Sequence, residues 1–189
     1  KDSQWLQGLW GSGPEDVWLA GESNGLFHFN GKLWTRADCD TQESLRGLWG
    51  LGASDVWAVG TRGTLCHFTG KEWQSEPSGV RHDLTAVWQS PAVAGEAWAV
   101  GKAGLILQRR GGQWSAVASG TTHGLHAVVG GGGDELWAAG EHGTLLRYDG
   151  QRFQPVASGA TATLRALAVA PGAVVWAAGE KGTLLRGDG

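Results

Sequence analysis

The sequence predicts an all-β fold: a five-bladed β-propeller of about 39-residue blades, each a four-stranded antiparallel meander, with the last blade lacking its outer strand. Three observations predict it. Trp18, Trp57, Trp98, Trp137 and Trp176 recur at spacings of 39, 41, 39 and 39, flanked by apolar residues and followed by Gly. A period near 40 built from β-branched and aromatic residues is the pattern of a propeller blade. Gly31, Gly70, Gly111, Gly150 and Gly189 keep the same spacing, so the 33 Gly among 189 residues punctuate turns and do not signal disorder.

The chain reads as a single propeller domain, 1–189, with units of approximately 1–39, 40–78, 79–119, 120–158 and 159–189. In the second unit, Ser44–Gly50 is the expected inner strand a, Asp55–Gly60 strand b, Thr64–Phe68 strand c and Glu72–Glu76 strand d, each bounded by Gly, Asp, Ser or Pro. Strands such as Val56-Trp57-Ala58-Val59 are apolar on both sides, as blades covered on both faces require. Strand a carries a small residue at Gly8, Gly47, Ala86, Ala127 and Ala166, where inner strands crowd the axis. Leu6, Leu45, Leu84, Leu125 and Leu164 lie two residues earlier and, with a side-chain period of 2, are expected to face the same way. The fifth unit has no strand d, so Thr183–Arg186 becomes an edge with unpaired backbone groups. Two covers are expected for it: a second copy, giving a homodimer, or Lys1–Trp5, with Trp5 filling the place of the missing aromatic; a solvated three-stranded blade is the alternative.

Composition narrows the partners. A formal net charge of -3 and no run of Lys or Arg argue against nucleic acid and anionic membrane surfaces. No apolar stretch approaches the roughly 20 residues of a membrane helix, so membrane insertion is not expected. Met is absent even at position 1, which reads as a processed product or an excised stretch. Abundant Ala and Gly, with Arg outnumbering Lys, point to a GC-rich bacterial genome. An extracellular, cell-surface or periplasmic location is the expectation. Cys39 replaces a recurrent Ser (Ser78, Ser119, Ser158), whereas Cys66 stands in an apolar strand register. The two registers differ, nothing in the repeat brings their Cα atoms within about 4.4–6.8 Å, and two reduced thiols, one buried, are expected.

The segment Leu9-Trp10-Gly11-Ser12-Gly13-Pro14-Glu15-Asp16-Val17-Trp18 and the run Gly140 to Phe153 resemble the Trp-rich propeller repeats of secreted and surface proteins of myxobacteria. They are also similar to a degenerate Asp-box, or BNR, hairpin of sialidase-like and photosystem assembly-factor propellers. The resemblance covers the whole chain and implies the propeller fold; it implies no single function, because such repeats serve enzymes, lectins and scaffolds. Asp-Gly of the Asp-box survives at Asp149-Gly150 and Asp188-Gly189, while Asn30, Thr69 and Arg110 replace the Asp elsewhere.

Residues that invite a chemical reading mostly fall on repeat positions. Eleven of the 12 Trp do so and are expected to pack between blades; Trp5 is the exception. A sialidase needs an Arg cluster and a Tyr nucleophile, yet the only Tyr, Tyr148, shares its register with Phe29, Phe68 and Arg109. The six His form no metal-ligand pair, and His28 and His67 read as a solvated edge face. Asp16, Asp55, Glu96 and Glu135 precede strand b and are expected to accept local backbone N–H bonds at a turn. Gly130–Gly133 reads as a loop. No catalytic, metal or cofactor site is expected.

Two registers are left free by the repeat. One, between the Leu and the small residue of strand a, holds Gln7, Arg46, Thr85, His126 and Arg165; the other, in the b–c turns, includes Arg62, Lys102, His142 and Lys181. In a four-stranded meander both lie on one face, around a mouth of the central channel. The reading is a non-catalytic binding or scaffold module of an exported bacterial protein, contacting a protein partner there. A lectin with glycan sites between blades is the alternative, and a sialidase-like or other hydrolase comes third.

Overall fold

The computed structural model describes residues 5–132, 135–170 and 174–188. Blade 1 comprises β1 (Leu6–Gly13), β2 (Asp16–Gly21), β3 (Gly25–Phe29) and β4 (Trp34–Arg36), and blade 2 comprises β5 (Leu45–Gly52), β6 (Asp55–Gly60), β7 (Leu65–Phe68) and β8 (Trp73–Glu76). Blade 3 is β9 (Leu84–Gln89), β10 (Ala97–Gly101), β11 (Ile106–Arg110) and β12 (Gln113–Val117); blade 4 is β13 (Leu125–Gly132), β14 (Glu135–Gly140), β15 (Leu145–Tyr148) and β16 (Phe153–Pro155). Blade 5 is β17 (Leu164–Ala170), β18 (Val174–Gly179) and β19 (Leu184–Asp188). Each is an antiparallel meander, four of them four-stranded and the fifth three-stranded. Consecutive blades stack inner strand to inner strand, from β1 on β5 through to β13 on β17.

Every inner strand carries a register shift between its Leu and its small residue, as between Leu45 and Gly47. The extra residue of such a bulge breaks the two-residue alternation. Leu and the small residue therefore face opposite neighbours, which corrects the expected common direction. Leu45 packs with Trp18, Ala20 and Leu26 of blade 1, while a Cβ on Gly47 would lie 2.9 Å from the Thr85 carbonyl oxygen of blade 3. Each blade thus has a backward face that receives and a forward face that gives. On the forward face stands the strand-b Trp: Trp57 clusters with Leu84, Val87 and Leu107 of blade 3.

At the two ends of the arc these faces are left uncovered by the described residues. On the backward face of blade 1, Leu6 is 51% and Leu9 70% exposed, whereas Leu45, Leu84, Leu125 and Leu164 are all 0% exposed. On the forward face of blade 5, Trp176 is 38% and Leu184 65% exposed, against at most 5% for the other four strand-b Trp. Glycines agree. A Cβ on Gly104 or Gly143 would collide with the next blade's connection at 2.0 or 1.9 Å from a carbonyl oxygen, while at Gly182 nothing lies within 4 Å. Among the described residues, β17 does not pack on β1 as consecutive inner strands do.

Further expectations need correction. Cys39 and Cys66 form a disulfide, with Cα atoms 6.1 Å apart. Cys39 belongs to the connection that leads from blade 1 into blade 2, and this connection crosses the backward face of blade 2 where Cys66 points; both are fully buried in one cluster. Gly130–Gly132 is strand, paired with Leu136 and Glu135, not loop; Gly133 lies outside the described residues. The reason is packing: the Trp88 ring lies against Gly130, where a Cβ would sit 2.1 Å from it, and the Trp10 ring lies against Gly50 likewise at 2.8 Å. Trp5 is 74% exposed and its carbonyl accepts the Glu22 N–H at 3.1 Å, so it stays with blade 1 and fills no space beside β19. Lys1–Gln4 lie outside the described residues, as does Gly189.

Candidate functional site

The b–c turns and the starts of the inner strands do meet on one face. The first residue of each turn donates its backbone N–H to the carbonyl just before strand a: Thr61 to Ser44 at 2.9 Å, Lys102 to Asp83 at 3.0 Å, Glu141 to Gly124 and Glu180 to Thr163 at 2.9 Å. The next residue adopts left-handed backbone, with φ of 54° at Arg62, 56° at Ala103, 54° at His142 and 56° at Lys181. Gly63, Gly104 and Gly143, which follow it in blades 2 to 4, are held against the following blade, so those three turns are clamped from both sides; Gly182 in blade 5 is not.

Asp83, at the entry to β9, gathers the cations of blades 2 and 3. Lys102 Nζ lies 2.7 Å and Arg46 Nη2 3.4 Å from its Oδ2, and the Arg62 backbone N–H donates to its Oδ1 at 3.1 Å. The Arg62 guanidinium turns to Glu43 at 3.4 Å. A second group forms on blades 4 and 5, where Arg165 pairs with Glu180 and bears on His126. His142 lies beside His123, ring centroids 4.8 Å apart, and His123 Nδ1 meets the Thr144 hydroxyl at 2.9 Å. Thr85 is tied into the scaffold, its hydroxyl 2.5 Å from the Leu125 carbonyl of blade 4. Gln7 and Lys181 are exposed at opposite ends of the arc. The structure therefore brings Arg46, Arg62 and Lys102 together, and His126 with Arg165, but not Gln7 with any of them.

The residues selected from the sequence included no acid. Asp83, Glu43 and Glu180 alternate with the cations, making a mosaic of both signs. For two acids the signal was present, since Glu141 and Glu180 stand in the register of Lys102; Asp83 stands two residues before Thr85, in the register of Ser44.

Two groups here have displaced titration. The Lys102 hydrogen bond above all, then the Arg62 N–H and the Lys102 and Arg46 charges, hold the Asp83 carboxyl below the ordinary 3.8, against the opposing effect of burial. Burial first, and the Arg165 charge second, hold the His126 imidazole below 6.5. Both groups bind protons more weakly folded than unfolded. The stability each contributes is present above its ordinary pKa and is lost as the pH falls through the folded one. Urea midpoints measured between about pH 3 and 8 should show a decline beginning near 6.5 that His126→Gln flattens, and a second below 3.8 that Asp83→Asn reduces.

A different pattern repeats on the forward faces. His28 and His67 are not solvated: their rings stack on Trp18 and Trp57 at 4.2 and 4.0 Å, and their Nε2 atoms meet Asp16 and Asp55 at 2.6 and 2.7 Å. Direct cross-strand pairing of Trp18 with His28 and of Trp57 with His67 causes this. It also corrects the turn reading of the carboxylates, which reach across to strand c; Glu96 and Glu135 likewise meet Gln108 at 2.7 Å and Arg147 at 2.5 Å. Arg109, in an aromatic register, lies over Trp57 at 5.1 Å and holds Glu76 with two nitrogens at 3.1 and 3.0 Å. These imidazoles are pinned between an indole and a carboxylate, an arrangement that braces the blade. Among the described residues no group of three or more His, Cys, Asp or Glu is placed to hold a metal ion, and no helix is long and apolar enough to cross a membrane.

The opposite mouth holds an apolar hollow of about 400 Å³, lined by Trp49, Leu51, Trp88, Pro91, Val129 and Val169 among others.

The chain matches no protein-family model and no curated protein. Solved β-propellers match throughout its length. YCF48 bound to D1 peptide superposes with a TM-score of 0.72 at 16% identity, covering 97% of this chain and 65% of that one. YCF48 from Cyanidioschyzon merolae gives 0.69 at 16%, covering 96% and 66%, and the WD40 β-propeller domain of Doa1 gives 0.79 at 11%, covering 100% and 66%. The extracellular domain of the putative hybrid two-component system BT3049 from B. thetaiotaomicron gives 0.72 at 11%, covering 97% and 27%. The five sheets are thus those of a β-propeller, and the chain spans about two thirds of the length of the first three.

Proposed function

We propose that the protein is a non-catalytic binding module of an exported bacterial protein, receiving a peptide or loop of a protein partner at the mouth lined by Arg46, Arg62, Lys102, Asp83, His126 and Arg165. The observation that carries this reading is an unvarying backbone under varying side chains. The b–c turn repeats its left-handed residue within two degrees while that residue changes from Arg62 to Ala103, His142 and Lys181. A position whose shape repeats and whose chemistry does not is free of the core's demands. Left-handed backbone costs a non-glycine residue about 1–2 kcal/mol, so the fold alone favours Gly there. The mosaic of charges suits a polar, extended peptide, and a similar propeller has been solved with the D1 peptide.

Other features support parts of the reading. The Cys39–Cys66 disulfide favours an oxidising compartment outside the cytosol. Asp149 accepts the Gln151 and Arg152 N–H groups at 2.9 Å, and Asn30 those of Lys32 and Leu33 at 3.2 and 3.1 Å, a shared turn in keeping with Asp-box kinship. The lectin reading is less favoured, because the strand-d aromatics Trp73 and Phe153 are buried between blades.

Screening the protein against a library of peptides of varied charge tests the proposal. Selected peptides should lose at least about tenfold in affinity on combined Arg46→Ala and Arg165→Ala, while stability changes by less than about 1 kcal/mol. Binding to a glycan array with no peptide selected would overturn it in favour of the lectin.

A further inference from the structure

The two uncovered faces at the ends of the arc are complementary. Blade 1 presents a backward face without an occupant: Leu6, Leu9 and the exposed strand-d Trp34 stand where the matching residues of blades 2 to 4 lie against a preceding Trp. Blade 5 presents a forward face without an occupant: Trp176, Leu184 and Ala166 stand where Trp57, Leu65 and Gly47 lie against a following blade. The same interface occurs four times inside the chain, so the chemistry each open face accepts is on view. Behind Leu6 belongs a Trp; ahead of Trp176 belongs an inner-strand Leu, joined in three of the four interfaces by an outer-strand aromatic.

We infer that these faces are the two walls of one gap, filled in the assembled protein by about two further blades of this same repeat, within the four to eight blades typical of propellers. Three observations select that occupant. Gly182 leaves open the space that the next blade's connection fills at Gly104 and Gly143, and β19 still offers an edge for an outer strand. The five blades superpose on only 65–66% of three propeller chains, as an arc of a larger ring. A second copy fits worse, because twice five blades exceeds that range, and a face-to-back contact that does not close propagates into open assemblies.

The test inserts a second copy of residues 79–158 after Ser158, giving a seven-unit chain, and compares it with the native chain by hydrogen exchange, sedimentation and urea unfolding. The seven-unit chain should be a monomer in which exchange in Leu6–Gly13 and Leu184–Asp188 slows by at least about tenfold. Leu9→Lys should leave the native chain's urea midpoint unchanged and lower that of the seven-unit chain. Equal exchange at both segments in a folded seven-unit chain overturns the inference. So does a native monomer with both faces already protected, or a native chain that protects them only by self-association at micromolar concentration. If the seven-unit chain does not fold, Leu9→Lys and Leu184→Lys in the native chain decide: loss of stability from either means its face is already covered, and the inference fails.

Discussion

Replacing Trp57 by Ala should cost on the order of 3–5 kcal/mol, as for other large aromatics in a core, whereas Trp176→Ala should cost about 1 kcal/mol or less. The two residues hold the same register, so intrinsic strand preference cancels. Their surroundings differ. Trp57 is 1% exposed, sandwiched between His67 and the Trp114 edge, with Arg109 above it, and it belongs to the cluster that joins blades 2 and 3. Trp176 has no following blade to bury it. With a urea dependence of about 1–3 kcal/mol per M, the first substitution should lower the midpoint by on the order of 1–2 M. Equal effects of the two would mean that the forward face of blade 5 is covered.

Reducing the disulfide should destabilise the protein by about 3–4 kcal/mol, the loop-closure entropy expected for a cross-link spanning 27 residues. The bridge ties the connection leaving blade 1 to the middle of blade 2, so its loss should loosen that junction first. Cys39→Ser restores the residue found at Ser78, Ser119 and Ser158. The Ser78 hydroxyl accepts the Val80 N–H at 3.3 Å; a Ser at 39 should recover about 0.5–1.5 kcal/mol through such a bond. The check is a urea titration with and without reductant. The native midpoint should fall in reductant and that of Cys39→Ser should not; a native protein indifferent to reductant would mean that the thiols are free.

Features that recur along the chain were legible in it. Strands b and c, the strand-b Trp and the crowding at Gly8 and Gly47 all follow from a period near 40, because each blade solves the same packing problem. What escaped were relations between registers. The bulge at Arg46 leaves no compositional mark, so Leu45 and Gly47 read as neighbours on one face when they point at different blades. Cys39 and Cys66 meet because a connection crosses a sheet face, which no strand period encodes. The stacking of His67 on Trp57 was within reach, since aligning strand b with strand c places them opposite each other. Among the site residues, the clustering of Arg46, Arg62 and Lys102 on Asp83 required knowing where the connection enters β9. Gly130 was misread because its role belongs to Trp88, some forty residues earlier.

The bulge has a consequence for how such a protein changes over time. Its residue belongs to neither the forward nor the backward apolar packing face, so a substitution there changes polar contacts and leaves the apolar fit of the adjoining blade intact. A duplicated blade inherits a finished fit to its neighbours and one position at liberty to diverge. Arg46, His126 and Arg165 are three outcomes of that liberty, and Thr85, bonded to the Leu125 carbonyl, shows it being surrendered. The surface of this mouth can therefore be rewritten blade by blade, through single codons, with the architecture handed on intact.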